Sequence, residues 1–498
     1  MLKKIQQDFS YYSHEFKDNY RKGVHRLRTI LASRAQAQAF VSNAGGVAVV
    51  LGYEPETPDK NAQELYALLA ASLYIDDAVQ TFLGSIYEAG AESQDAMYSD
   101  SARCLEILHD PVMSRAAGAG TVSAGKWIAA LAGQSCAAYT DIAAVAASET
   151  AMTAVAASET AMAAVVSNAT ALNAVVTSQV ALNAVAASET AMAAVIGNAT
   201  ALNVVATSQA AMNAVAASET AMTAVIANTA AFNTVVTSHV AMNAVASSYV
   251  AVAAVYESAV AVEAVKANET AWATLTGASS AVMGKAAAKL AGLNPADYAD
   301  MTAVAASSTA RAAIEKSQVA KDAIAASDMA TAKYAVGAAG LKPADYANMA
   351  AVAASQTAMA AVIANATALN AVVSSSTAMA AVAASSTAMT AVASSNTART
   401  AITNSATAKN ALTSSPLKTT VTKGNGNGWE NRTIRNGMGY LISCFNANSG
   451  GEAGSTWYKL DGAQTSQPAG TTNVGKFFTS SLAIYWWSST SSVTYIPC

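Results

Sequence analysis

Charge is what this 498-residue chain has least of. Asp, Glu, Lys and Arg make up 12% of its residues, against about 25% in a typical globular protein. The net charge is −4, and no basic cluster occurs in the central region, so the sequence shows no basic patch of the kind that binds nucleic acids. Four cysteines lie far apart and form no CxxC pair. We therefore predict no metal, no cofactor and no disulfide framework.

Groups that carry catalysis are equally scarce. The four histidines are scattered and belong to no Ser/His/Asp or metal-ligand pattern. A sugar-cleaving enzyme needs a positioned pair of carboxylates, and the C-terminal region offers only Glu430, Glu452 and Asp461, none within a recognisable motif. We expect no enzymatic activity and no catalytic residues.

Long uncharged stretches raise the question of a membrane. The span from Met162 to Ala187 has no charge, but it is mostly alanine, and Ser, Asn, Thr or Gln recurs in every ten residues. Lipid-spanning helices are instead separate runs of about 20 apolar residues. The first residues, Met1-Leu-Lys-Lys-Ile, become polar at once and lack the apolar core of a secretory signal. The sequence thus predicts neither membrane insertion nor a signal peptide.

The dominant feature that is present is a ten-residue repeat from about Asp141 to Thr413. In its plainest form, Ser158-Glu-Thr-Ala-Met-Ala-Ala-Val165, an initial Ser or Asn is followed by Ala three places on, then a larger apolar residue, then Val or Leu. Ten residues of one continuous helix fall about 80° short of three turns. A stripe with this period would therefore wind steeply around a straight helix.

The recurring Ser or Asn favours a different structure. Both are preferred N-cap residues, a Glu often follows, as at Glu149 and Glu159, and Ser415 is followed by Pro416. Each unit is therefore predicted to be a helix of about seven or eight residues followed by a short turn. Such helices need neighbours, either within one chain or in a bundle of three chains. A smooth helix with Ser and Asn on its wet face is the alternative.

Two related interruptions break the repeat. Gly292-Leu-Asn-Pro-Ala-Asp-Tyr-Ala-Asp-Met301 matches Gly340-Leu-Lys-Pro-Ala-Asp-Tyr-Ala-Asn-Met349, and the repeat resumes in a new phase after each. Glycine followed by proline and an acidic residue is a stop-and-start signal for helices. We interpret residues 277–306 and 328–354 as joints within a repeat region spanning 138–417.

The two ends of the chain have other compositions. Residues 1–137 predict a helical attachment domain with a turn-rich connection at Leu51–Asp59 and a basic surface formed by Lys17, Arg21, Lys22, Arg26, Arg28 and Arg34. Residues 418–498 predict a small β-rich domain after a flexible hinge at Lys423–Trp429. Its strand-like runs are Gly439–Phe445, Ser481–Trp487 and Val493–Ile496. The fold class is therefore mainly α.

Aromatic residues are concentrated in this C-terminal region. Aromatic rings often anchor interfaces, and sugar rings stack on them. Because adjacent residues of a strand point to opposite faces, one of Trp486 and Trp487 is expected to be exposed or to lie at a subunit contact. The candidate receptor-binding residues are Trp429, Tyr440, Trp457, Tyr458, Tyr485, Trp486, Trp487 and Tyr495.

An N-terminal head, a low-charge repetitive shaft and an aromatic-rich tip together resemble a tail fibre of a tailed bacteriophage. The likeness covers the shaft, in decads such as Ala351 to Met359. The resemblance implies a fibrous, homotrimeric virion protein located in the phage tail and made in the host cytoplasm. It further implies attachment to baseplate or tail proteins through the N-terminal domain, and binding of a host glycan or outer-membrane protein by the tip.

Three other classes share parts of this layout. A bacterial surface adhesin has the same head-and-stalk arrangement but carries a signal and an anchor. A structural repeat of the ice-binding kind needs regular threonine rows, which Val180, Ala210 and Val240 interrupt. A polysaccharide-depolymerising tailspike is the enzymatic alternative, and its clustered acids are not found in this sequence.

Overall fold

The computed structural model describes residues 2–16, 20–52, 60–87, 93–424, 426–448 and 455–498, with only the backbone described for 2–7 and 20–22. The chain divides into two compact units, Met1–Val245 and Ala246–Cys498. The described residues are mainly helical, with antiparallel sheet confined to the C-terminal region.

The N-terminal region is helical, as predicted. Trp127, Tyr98 and Phe40 lie in its core and are 1% exposed or less. The predicted turn-rich connection falls largely on residues 53–59, and the side chains of Lys17, Arg21 and Lys22 also lie outside the described residues. The helices are α1 Leu2–Phe16, α2 Tyr20–Ala32, α3 Arg34–Val41, α4 Ala44–Leu51, α5 Lys60–Ala70, α6 Ile75–Ile86, α7 Gln94–Tyr98, α8 Ser101–His109, α9 Pro111–Ala117 and α10 Thr121–Leu131.

The repeats form short helices, mostly of eight or nine residues, with breaks of only one or two residues. Those of the first series are α11 Ile142–Ala147, α12 Glu149–Ala157, α13 Glu159–Val166, α14 Ala169–Thr177, α15 Gln179–Ala186, α16 Glu189–Gly197, α17 Ala199–Thr207, α18 Gln209–Ala217, α19 Glu219–Ala227, α20 Thr229–Thr237, α21 His239–Ser247, α22 Tyr249–Glu257, α23 Ala259–Lys266 and α24 Glu269–Thr276.

The series continues around the joints in the second unit. Its helices are α25 Ser280–Leu290, α26 Met301–Ala306, α27 Ser308–Lys316, α28 Gln318–Ala326, α29 Asp328–Ala338, α30 Met349–Ala354, α31 Gln356–Ala364, α32 Ala366–Ser374, α33 Ser376–Ala384, α34 Ser386–Ser394, α35 Asn396–Asn404 and α36 Ala406–Thr413.

The predicted Ser and Asn caps are present. Ser158 has an extended backbone (φ −100°, ψ 115°), and its hydroxyl oxygen accepts a hydrogen bond from the Ala161 amide, 3.2 Å away. The same residue ends the preceding helix through a bond from its own amide to the Val155 carbonyl. A single residue therefore both ends one helix and begins the next. Ser218 does the same between α18 and α19, which meet at 100°. This bend excludes a continuous helix.

Helices three places apart stack on each other, as α12 does on α15 and α15 on α18. Three helices therefore complete one coil of the chain. The repeat's Ala, larger apolar residue and Val point into the coil, where Ala151, Met152 and Val155 are 1% exposed or less. The apolar core of the repeats is thus filled within one chain, which decides between the two packing alternatives that the sequence left open.

A second hydrogen bond of the cap residue connects successive coils. The Ser188 hydroxyl donates to the carbonyl of Ala156, 2.5 Å away and 32 residues earlier. The same bond joins Ser178 to Ala146 and Ser385 to Ala353. The hydroxyl thus accepts a bond from its own helix and donates one to the coil below.

Joints of one common design interrupt the repeats. Gly292 and Gly340 adopt positive φ (74° and 79°), and the next amide bonds to the carbonyl five residues back, at 2.9 Å in both joints. Gly133 (φ 71°) ends α10 in the same way, a third copy that the sequence comparison missed. It was missed because Gln-Ser-Cys stands there in place of Leu-Asn-Pro. The repeat region thus begins with a joint.

No single helix among the described residues has both the length and the apolarity to cross a membrane. Six pairs of consecutive helices meet both conditions only when each pair is counted together, and every pair is sharply bent at its break.

The C-terminal region forms two four-stranded antiparallel sheets. The strands are β1 Thr419–Thr422, β2 Glu430–Asn436, β3 Gly439–Asn446, β4 Trp457–Leu460, β5 Ala463–Ser466, β6 Gly470–Phe478, β7 Ser481–Trp486 and β8 Ser492–Pro497. The first sheet has the order β1-β8-β3-β6, and the second has the order β2-β7-β4-β5. Leu441, Phe478 and Ile484 belong to the core that both sheets share.

The first sheet also covers the last repeats. Tyr440, Ile442 and Ile496 form one buried cluster with Met389 and Leu412 of the repeat helices. Open ends of a repeat array need a cap that protects their apolar interior. The β domain therefore closes the C-terminal end of the array with its first sheet. The repeat helices do not cover the outer face of the second sheet.

Candidate functional site

Four of the eight candidate aromatic residues are structural. Tyr440 is 1% exposed and packs on the repeat helices. Tyr458, Trp486 and Tyr495 lie in the core between the sheets and are at most 7% exposed. These side chains present no surface to a ligand, so any receptor-binding role falls on the other four.

The other four residues, Trp429, Trp457, Tyr485 and Trp487, lie together on the outer face of the second sheet, and we call this set the aromatic ridge. Trp429 stacks on Tyr485, with ring centroids 4.8 Å apart and planes at 8°. Trp457 stacks with Tyr485 at 5.2 Å and 17°. Trp487 meets Trp429 at 5.4 Å and 63°, an edge-on contact. The result is a row of rings that runs from the segment before β2 across β7 to β4.

Strand alternation explains this division. Along β7, Leu482, Ile484 and Trp486 are buried, whereas Tyr485 and the following Trp487 are half-buried. The prediction that Trp486 and Trp487 point to opposite faces is confirmed. Cross-strand register then brings Trp457 of β4 opposite Tyr485, and stacked aromatic pairs of this kind stabilise sheets.

Trp429 is the most accessible ring of the ridge, at 38% exposure. It lies in the segment predicted as a flexible hinge, of which Asn425 is outside the described residues. Backbone hydrogen bonds join the Lys423 amide to the Ser491 carbonyl (2.9 Å) and the Gly428 amide to the Trp487 carbonyl (2.9 Å). The segment is therefore attached to the β7–β8 loop on both sides of Asn425, and this attachment positions Trp429.

Polar side chains flank the ridge. Strand register places Asn431 and Thr433 of β2, and Gln464 and Ser466 of β5, in line with the outward-facing residues of β7 and β4. The Lys459 ammonium lies 4.5 Å from the centroid of the Trp457 ring. Hydrogen-bond donors and acceptors thus lie on both sides of a row of apolar rings.

Both described acids of this domain have structural roles. Glu430 lies 3.9 Å from the ammonium of Lys423. Asp461, with φ 51°, forms the two-residue β4–β5 turn with Gly462. Its burial raises the pKa, but bonds from the Thr479, Ser480 and Ser481 amides outweigh this and lower the pKa of Asp461 to about 2. Glu452 lies outside the described residues.

Within the described ranges, no group of three or more His, Cys, Asp or Glu side chains is placed to hold a metal ion. The described cysteines are unpaired thiols, and burial raises the pKa of Cys444 and of Cys498 to about 12.

No protein-family model matches the chain, and no curated protein matches it. The aromatic ridge is the principal candidate site because its four rings stack together outside the core of the domain.

Proposed function

We propose that this protein is a structural tail fibre of a tailed bacteriophage that binds a host-surface glycan through the aromatic ridge. In this proposal the N-terminal domain attaches to baseplate or tail proteins, and the C-terminal tip binds the host surface. The observation that carries the proposal is the ridge itself, four aromatic side chains placed outside the hydrophobic core of a small domain.

The chemistry of the ridge suits a sugar chain. Sugars present apolar C–H faces that contact aromatic rings, and hydroxyl groups that need hydrogen-bond partners. Tyr485 is stacked between Trp429 and Trp457, and Trp429 is the most exposed ring of the four. Asn431 and Gln464, on the strands at the two sides, supply amide donors and acceptors.

The repeats suit a spacer. Each coil rests on the one before it through buried alanine and methionine and through the second bond of the cap serine. Arrays of this kind are extended by adding units. In the proposed fibre three chains associate. Because the repeat core is filled within each chain, they would do so through outward-facing residues.

The test is binding of the purified full-length chain to an array of bacterial surface polysaccharides. Trp429→Ala and Trp457→Ala are each expected to weaken binding about 5- to 30-fold, the range for loss of an aromatic anchor. Phe445→Ala is the matched control, because Phe445 is 39% exposed but lies on the first sheet. Its affinity is expected to equal that of the unmodified chain.

Two results would refute glycan binding by the ridge. One is a folded full-length chain that binds none of the polysaccharides. The other is equal loss of binding in all three variants, which would show that the loss is not specific to residues of the aromatic ridge. Near-ultraviolet circular dichroism of each variant separates loss of binding from loss of structure.

A further inference from the structure

The coil of three helices gives the first repeat series three kinds of outer surface. Every third helix belongs to the same stack, so stack membership recurs every thirty residues. One stack contains α14, α17 and α20, whose sequences are ATALNAVVT, ATALNVVAT and TAAFNTVVT. None of the three contains a charged residue. We call the outer side of this stack the amide face.

One asparagine recurs at the same position of each helix in this stack. Asn173, Asn203 and Asn233 are all exposed, each at the fifth residue of its helix. Since the helices stack in register, these amides form a row, with a spacing close to the distance between packed helices, about 8–10 Å. In the described part of the chain, no side-chain bond involves any of the three amides.

Two hydroxyl groups at the C-terminal ends of these helices form hydrogen bonds within their own helix. Thr177 donates to the carbonyl of Asn173 (2.8 Å), and Thr207 donates to that of Asn203 (2.8 Å). Both bonds lie within one helix. The exposed asparagine amides form no such bond and retain their hydrogen-bonding capacity.

The other two stacks differ from the amide face. In the stack of α13, α16 and α19, the first residue of each helix is Glu159, Glu189 or Glu219. In the stack of α12, α15 and α18, amides are paired within a helix, as Gln179 is with Asn183 and Gln209 with Asn213, both at 2.8 Å. Among helices α12 to α20, only the amide face combines an absence of charge with a row of unpaired amides.

We propose that copies of this chain associate with each other through the amide face. An amide side chain carries both donors and an acceptor, so a row of asparagines is complementary to the same row on a second copy. Bringing two acidic stacks together would instead place like charges in contact. The inference rests on the proposed function only in taking the fibre to contain several chains, and it identifies the surface by which they meet.

The experiment is light scattering of the full-length chain over a range of concentrations. The test variant is the double substitution Asn173→Asp and Asn203→Asp, which places two negative charges in the row. The matched control is Asn183→Asp with Asn213→Asp, the same chemical change at the same repeat position in another stack. Circular dichroism of both variants establishes that the helices remain formed.

We expect the unmodified chain and the control to associate. The test variant should be a monomer, or should dissociate at least about 100-fold more readily, because like charges would then face each other. Association of all three proteins would overturn the amide face but leave the fibre proposal intact. Monomeric behaviour of both variants would overturn the choice of face. A monomeric unmodified chain would overturn the inference and the several-chain fibre, but not glycan binding by the ridge.

Discussion

Ser188 offers a test of the cap residue's double role. Its hydroxyl accepts a hydrogen bond from the Ala191 amide (3.2 Å) and donates one to the Ala156 carbonyl of the coil below (2.5 Å). Loss of an N-cap costs about 1 kcal/mol, and loss of a hydrogen bond between coils costs about 1 kcal/mol more. Ser188→Ala is therefore expected to destabilise this part of the array by about 2 kcal/mol.

The substitution Ser188→Asp separates the two roles. Aspartate is as good an N-cap as serine. If Ser188 only accepted the bond from its own helix, the protein would therefore tolerate the change. An ionised aspartate cannot donate, however, and its oxygens would face the Ala156 carbonyl. We expect Ser188→Asp to destabilise the coil by at least about 1 kcal/mol, whereas Ser188→Thr keeps both bonds.

Hydrogen exchange measured by mass spectrometry is the suitable assay, because repeat arrays open locally and a single unfolding free energy does not describe them. Amides of α16 and α12 should exchange about 30-fold faster in Ser188→Ala and about 5- to 10-fold faster in Ser188→Asp. Ser167→Ala, in which an exposed hydroxyl bonds only within its own helix, serves as the control. Unchanged protection in Ser188→Asp would refute the donor role.

Two further predictions concern glycine and pH. Gly284→Ala should destabilise the joint by about 3 kcal/mol or more, because the added Cβ would lie 2.2 Å from the Asp300 carbonyl carbon. Gly197→Ala should instead stabilise α16 by about 0.5–1 kcal/mol, because no atom lies within 4 Å of the added Cβ. Hydrogen exchange of α25 and α16 measures the two effects. For Asp461, whose pKa is lowered to about 2, stabilisation of the β domain is complete above about pH 4 and is lost as pH falls towards 2. Acid titration followed by tryptophan fluorescence should show this loss, and Asp461→Asn should remove the dependence; an unchanged titration in that variant would contradict the assignment.

Local signals in the sequence were sufficient for the helices. Ser158 and its equivalents follow N-cap preferences, and alanine-rich segments with apolar residues three apart favour helix once neighbouring helices bury their apolar side. The breaks at Gly292 and Gly340 were predictable because only a residue free to adopt positive φ fits there. The third joint at Gly133 has the same conformation but a divergent sequence.

The packing of these helices depends on contacts between residues far apart in the chain. A thirty-residue period is visible in the recurrence of Asn168, Asn198 and Asn228 as caps, and it could have indicated three helices per coil. The donor role of the cap serines has no local signature, since the accepting carbonyl lies 32 residues away. Likewise, nothing in the tip sequence distinguishes buried Tyr458 from half-buried Tyr485, because strand pairing decides which face each strand buries.

By itself, then, the sequence determined the helical repeat, its capping residues, the glycine joints and a β-rich C-terminus, because each depends on interactions within a few residues. Only the tertiary structure decided that the repeats coil within one chain, that cap serines join successive coils, and that four of eight aromatic residues lie outside the core. These features depend on where distant segments meet, which the sharp bends between consecutive helices, close to 100° in six pairs, and the pairing of the strands determine.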